Sequence, residues 1–167
     1  NLTFSLLLRP RFLNALNQFQ LNMAIALGIA DGLLNYLPSG LTLKWPNDIM
    51  MENRKVGGVL IENQTQGQQL STSIIGIGLN VNQPELSHPG AGSLIQFVGH
   101  VLDLDEVHQE LLAGIEARYL SLRAGNYKGL HKEYVERLYQ HNVPQEFESD
   151  GIPFIGTITD VDESGRL

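Results

Sequence analysis

Lys44-Trp45-Pro46-Asn47-Asp48 and Arg54-Lys55-Val56-Gly57-Gly58-Val59-Leu60-Ile61-Glu62 are the two stretches on which the reading of this chain turns. The first packs a cation, an amide and a carboxylate into one turn. Asn and Asp bond their own backbone well at turns, so Pro46-Asn47-Asp48 alone has a plain structural explanation. The second sets a cation directly before two glycines in a β-patterned run. Val56–Glu62 and Leu70–Val81 read as strands, and the polar, Gly-containing segment 64–69 between them makes an antiparallel hairpin the simplest pairing. The period of two then places Gly76, Gly78 and Asn80 on one face and Ile75, Ile77, Leu79 and Val81 on the other. One face packs on helix. The other is nearly bare backbone ending in an amide. Strand glycines mark close approach of a ligand or of another backbone, with a bulge or a tight helix crossing as the bland alternative. A cation and a carboxylate beside such a floor suit an anionic or polarised ligand lying flat on backbone.

Working outward, residues 2–8 alternate weakly and read as a strand. Pro10 opens a helical stretch from Leu13 to Leu37, with Leu16, Phe19, Met23, Leu27, Ala30, Leu34 and Leu37 along one stripe, stopped by Pro38-Ser39-Gly40. Leu41–Trp45 is a short strand ended by Pro46. Residues 83–103 are loop-rich. Asp105 is the expected cap of a helix carrying Val107, Leu111, Ile115, Tyr119 and Leu122. A further helix is expected over Lys128–His141 with Leu130, Tyr134 and Leu138 inward. After Pro144, residues 145–148 and 152–161 alternate like two strands joined at Ser149-Asp150-Gly151.

The 167 residues are 43% hydrophobic and 17% charged, the balance of a foldable chain with one main domain and room for a small second one. The net charge of −7 and the lack of any basic run argue against nucleic-acid binding, which needs clustered Lys and Arg. No cysteine is present, which excludes thiolate chemistry and fits a cytoplasmic protein. No run reaches about 18 apolar residues, so no transmembrane helix is expected. His88, His100, His108, His131 and His141 show no ligand spacing, and no metal site is expected from them. Both ends read as cut, since the chain opens inside a strand pattern without Met and closes in a polar turn at Ser164-Gly165-Arg166.

The two opening motifs, followed in order by Gly76-Ile77-Gly78-Leu79-Asn80-Val81-Asn82, resemble those of biotin protein ligases, the biotin–[carboxylase] ligases. The resemblance runs from about Asn1 to the C-terminus. It implies an α/β (α+β) catalytic domain with a mostly antiparallel sheet, related to class II aminoacyl-tRNA synthetases, and a small C-terminal β-barrel. Residues 1–143 then correspond to the catalytic domain without its N-terminal part, and residues 144–167 to the start of the barrel. The implied reaction joins biotin to ATP, with magnesium, as biotinyl-5′-AMP, and passes biotin to a lysine of the biotin carrier domain of a biotin-dependent carboxylase. Lys55 matches the lysine that contacts the biotin carboxylate and the phosphate, and Asp48 the acid that orients or deprotonates the acceptor amine. Asn47 and Asn80 match positions on the nucleotide side. Gly57, Gly58, Gly76 and Gly78 match the floor under the bicyclic ring. The family's glycine- and arginine-rich loop and the Ser/Thr and Gln residues for the ureido ring have no match here, so this stretch by itself is expected to be inactive. The oligomeric state stays open, a homodimer included. A non-catalytic module of the same fold and a lipoate or octanoate transferase are the alternative functions.

Overall fold

The computed structural model describes all 167 residues. Its centre is a five-stranded, wholly antiparallel sheet made from β1 (Leu2–Leu8), β2 (Leu41–Lys44), β3 (Asp48–Met51), β4 (Arg54–Gln66) and β5 (Gln69–Leu79), in the order β1-β5-β4-β3-β2. The expected β4–β5 hairpin forms, with Gly58 opposite Gly78 and Leu60 opposite Gly76. β4 begins two residues before the expected Val56, where it pairs with β3, and runs on to Gln66 along β5. Ile75, Ile77, Leu79 and Val81 are buried on the helical side, as the period of two requires.

α1 (Phe19–Leu33) lies under the sheet, against α3 (Leu104–Arg123) and α4 (Tyr127–Glu136). It starts later than Pro10 implies. Residues 13–15 are drawn to the start of β5, where the Ala15 N–H donates to the Gln68 carbonyl at 2.8 Å and the Leu70 N–H to the Leu13 carbonyl at 3.0 Å. Residues 15–17 form only a single 3-10 turn capped by Asn14, and Leu16 is exposed. The one-stripe expectation for this helix also fails. Residues 23–30 are all buried, since sheet and helices cover the helix from both sides.

The stripe does hold for α3, where Val107, Leu111, Ile115 and Leu122 are buried. Its cap is Asp103, not Asp105. The Asp103 carboxylate accepts from the N–H groups of Asp105 and Glu106, at 2.8 and 3.2 Å, and Asp105 sits inside the first turn. α4 ends at Glu136 rather than at His141. The next residues are captured by β2, with the Leu43 N–H donating to the Arg137 carbonyl at 2.8 Å and the Tyr139 N–H to the Leu43 carbonyl at 2.9 Å. Leu130, Tyr134 and Leu138 are buried as expected, and burial pushes the Tyr134 phenol well above its ordinary pKa.

The three helices share one ionic cluster. Asp31 of α1 accepts from Arg118 of α3 at 2.5 Å and from Arg137 at 2.8 Å, and Arg118 reaches Glu133 of α4 at 2.7 Å. The hydrogen bonds that Arg118 donates to Glu133 and Asp31 hold its guanidinium above its usual pKa. α2 (Ile95–Val98) is a single turn in the loop after β5. β6 (Pro144–Ser149) and β7 (Ile152–Thr157) pair as a separate antiparallel hairpin. The second of these strands stops short of the expected Val161. From Ile158 the chain turns back, and Val161 is fully buried in the main core. No helix is long and apolar enough to cross a membrane.

Candidate active site

The turn after β2 and the hairpin of β3 and β4 build the site. Asp48 begins β3, where it pairs with Lys44 on one side and Gly58 on the other. Between Ile49 and Met50 the β3–β4 register slips by one residue. Met50 faces Lys55 but Ile49 faces Gly57, which leaves Val56 as the extra, bulged residue. The bulge decides where Lys55 points. Strict alternation would set it on the face of Gly57 and Val59, which is buried. With one residue inserted it shares the face of Gly58, and its ammonium meets Asp48 Oδ1 at 2.5 Å. The pair remains open to solvent, with Lys55 half-exposed and Asp48 about one-quarter exposed.

The backbone of Lys55 is held on both sides. Its N–H donates to the Gly90 carbonyl at 2.8 Å, and its carbonyl accepts from the Gly92 N–H at 2.9 Å. Asn80 ties the same loop down by donating its amide to the Gly92 carbonyl at 3.0 Å, while its own N–H donates to the Val56 carbonyl. Asn47 donates its amide to the Val59 carbonyl at 2.7 Å, so it fixes the turn to β4. Both asparagines keep an oxygen and a second N–H beyond these structural bonds.

A pocket of about 800 Å³ opens over this region. Of the expected site residues it is lined by Asp48, Lys55, Gly57, Gly58, Gly78 and Asn80. Gly76 and Asn47 lie in an adjoining shallow groove of about 340 Å³ that shares Asp48, Lys55, Gly58 and Gly78 with the pocket. All eight expected residues therefore meet on one continuous surface. The glycines differ in what they do there. A side chain at Gly78 would meet nothing within 4 Å, and one at Gly58 would stand 3.5 Å from the Asp48 carboxylate and the Lys55 ammonium. Gly57 is instead a packing residue, since a Cβ would lie 2.9 Å from the Gly78 carbonyl.

Lys44, Asn53, His88 and Tyr139 also line the pocket, and sequence reading did not single them out for it. Tyr139 donates its hydroxyl to Asn53 at 2.9 Å. It is brought in by the pairing of residues 137–139 with Leu43, which a helical reading of that stretch hides. For Lys44, its place in the first motif was the available signal. Asp48 is the one carboxylate of the pocket, and no three His, Asp or Glu side chains converge anywhere in the chain. A magnesium ion that arrives with nucleotide phosphates brings most of its ligands with it, so a single carboxylate fits that mode and no other.

The model of the Biotin/lipoate A/B protein ligase family matches residues 1–80, which span both opening motifs and reach Asn80. The biotin–[acetyl-CoA-carboxylase] ligase of Mycobacterium tuberculosis is 31% identical over 152 residues, covering 88% of this chain and 55% of that protein. The chain is similar to biotin protein ligases across both opening motifs. The bifunctional ligase/repressor BirA of Bacillus subtilis is 35% identical over 105 residues, 60% of this chain and 32% of that protein. The chain thus spans about half or less of the length of these two family members. The biotin protein ligase from Aquifex aeolicus, solved in complex with biotin and ATP, superposes with a TM-score of 0.79 at 27% identity. That match covers 98% of this chain and 68% of the other.

Proposed function

We propose that the protein containing these residues attaches biotin to a lysine of a biotin carrier domain, using ATP, through biotinyl-5′-AMP. The observation that carries this reading is the Asp48–Lys55 pair standing over the bare backbone of Gly58 and Gly78. The Aquifex protein of the same fold binds biotin and ATP. In the first step a biotin carboxylate oxygen forms a bond to the α-phosphorus and the bond to the β-phosphate oxygen breaks, releasing pyrophosphate. Lys55 lowers the barrier as a fixed cation facing the charge that builds on the α-phosphate. Magnesium, when bound with ATP, would supply counter-charge to the nucleotide phosphates, with Asp48 the one carboxylate of the pocket to meet it. Asn47 and Asn80 offer their remaining amide groups on the nucleotide side, and Gly58, Gly76 and Gly78 form the floor for the ring system, with Gly57 packing beneath it.

In the second step the acceptor amine attacks the anhydride carbonyl, an amide bond forms and AMP leaves. Asp48 accepts a proton from that amine, being freed from Lys55 once the phosphate competes for the ammonium. Residues 1–143 form the catalytic domain in this reading and residues 144–167 the start of the C-terminal module, and the acceptor comes from a biotin-dependent carboxylase.

The test uses the full-length protein with labelled biotin, ATP and a purified carrier domain. Labelled carrier is expected, and transfer of lipoate in place of biotin overturns the assignment. Asp48→Asn sharpens it. Pyrophosphate release should stay within about threefold of wild type while carrier labelling drops on the order of a hundredfold, the range of a general base. Equal loss in both steps would make Asp48 a ligand of the nucleotide or its cation instead.

A further inference from the structure

The turn that carries Asp48 is clamped from three directions. Asn22 of α1 donates its amide to the Pro46 carbonyl at 2.8 Å, and Asn47 is fixed to Val59 of β4. The third clamp comes from the far end of the chain. The indole N–H of Trp45 donates to the Gly165 carbonyl at 2.8 Å, across 120 residues of sequence. The first two clamps belong to the sheet-and-helix body. The third belongs to the segment that follows the β6–β7 hairpin.

That segment is built to hold one carbonyl still. Asp162 closes it, with Oδ1 accepting from the Ser164 N–H at 2.9 Å, the Ser164 hydroxyl at 2.6 Å and the Arg166 N–H at 3.0 Å, and Oδ2 from Arg166 Nε at 3.0 Å. These donors, the Ser164 side chain first, hold the Asp162 carboxyl down to about 2. Gly165 sits at φ +88° against the ring of Phe19, and a Cβ there would come within 2.6 Å of that ring. Just upstream, Val161 is fully buried and its carbonyl accepts from His131 at 2.9 Å. The turn is therefore anchored to the helical layer at one end and aimed at Trp45 at the other.

We infer that Asp162 and Trp45 are positioning residues of the transfer step. The 162–166 turn acts through the indole N–H to fix the angle at which Asp48 leaves the 45–48 turn, and so couples the C-terminal segment to the site. The inference rests on the ligase reading above. Asp48 gains its position from this strut as well as from strand pairing, so loss of the strut misaligns the carboxylate without releasing it.

The experiment is a double-mutant cycle in the full-length protein with Trp45→Phe, which keeps the ring and removes the N–H, and Asp162→Ala. Each single variant should lower carrier labelling about tenfold, short of the roughly hundredfold that a 1 Å misplacement can cost. Each should leave KM for biotin and ATP unchanged. The double variant should match the single ones, because both remove the same strut. Asp162→Asn, which keeps the oxygen acceptor, should recover most of the activity and serves if Asp162→Ala folds poorly. Additive losses, wild-type labelling by Trp45→Phe, or a loss confined to melting temperature would overturn the strut. Wild-type protein that labels no carrier would refute the ligase reading, and the strut with it, whereas wild-type labelling unaffected by Trp45→Phe refutes the strut alone.

Discussion

Two groups of glycines in this protein look alike in sequence and do opposite work. Gly28 and Gly32 on α1 meet Gly114 on α3 with no room between them. A Cβ on Gly114 would lie 2.3 Å from the Gly28 carbonyl, and one on Gly28 would lie 2.5 Å from the Ile115 Cα. Gly76 and Gly78 on β5 face open space, with nothing within 3.8 Å of a side chain added to the first and nothing within 4 Å for the second. In the helices the missing side chain lets two backbones touch. In the sheet it leaves a surface free. A glycine that its neighbours require is a packing residue. One that its neighbours would tolerate losing is explained by something outside the chain, and here it lies beside an ion pair in a pocket.

The largest effect should come from the helical group. Gly114→Val drives two methyls into backbone that cannot move without parting α1 from α3. Overpacking commonly costs 1–3 kcal/mol, and a clash with main chain belongs at or above that range, so a loss of about 3 kcal/mol or more is expected. For a chain of this size that is a fall in melting temperature of roughly 10 °C, read by calorimetry or circular dichroism. A melting temperature within about 2 °C of wild type would mean that the two helices do not cross this closely, and the contrast between the two groups would collapse.

Next in size is Lys55→Ala on the sheet side, where chemistry rather than folding should suffer. The pair with Asp48 is partly exposed, and such pairs contribute about 0–1 kcal/mol to stability. Loss of one donor to developing charge costs about 3 kcal/mol in the barrier, on the order of a hundredfold in pyrophosphate release. The expected result is a near-normal melt with a crippled first step. A normal rate would leave Lys55 as an ordinary surface residue and remove the cation from the proposed mechanism.

The contrast also marks what the sequence could reveal. Alternation along β5 predicts its buried face correctly because one face packs on helices and the other packs on nothing. The same rule fails at Lys55, since a bulge at Val56 shifts the phase, and Gly57-Gly58 permit a bulge without fixing its position. Stripe reading works for α3, which is covered on one side, and fails for α1, which is covered on several. The dense apolar run 23–30 was the usable signal there, because a helix apolar all round is a buried one. Gly28 and Gly32 stand one turn apart, but their purpose appears only once Gly114 is opposite, a pairing across some eighty residues that local pattern cannot supply. The eight candidate residues could be named from sequence because they cluster in three short motifs, and they meet on one surface. Tyr139 and Asn53 were not, because tertiary pairing with Leu43 brings Tyr139 to the wall.

The smallest effect is the most discriminating, and it belongs to Gly78→Ala. Nothing in the protein opposes the added methyl, and Gly78 lies in a regular antiparallel stretch of β5 opposite Gly58 and Thr3. Its backbone is not in the left-handed region, so alanine adopts it without strain. Replacing glycine at a compatible position reduces the freedom of the unfolded chain and stabilises by about 0.4–1 kcal/mol. Folding should therefore be unchanged or slightly improved. A flat ligand resting on the strand, however, would be lifted by the methyl and lose contact along its whole face. A severalfold to tenfold weakening of biotin binding is expected, equivalent to about 1 kcal/mol. Calorimetric titration with biotin beside a thermal melt reads both quantities on one preparation of the full-length protein. A higher melting temperature with weaker binding places the ligand on the glycine floor. A higher melting temperature with unchanged affinity would mean that the ligand lies elsewhere in the pocket, and that the open glycine is not part of the binding surface.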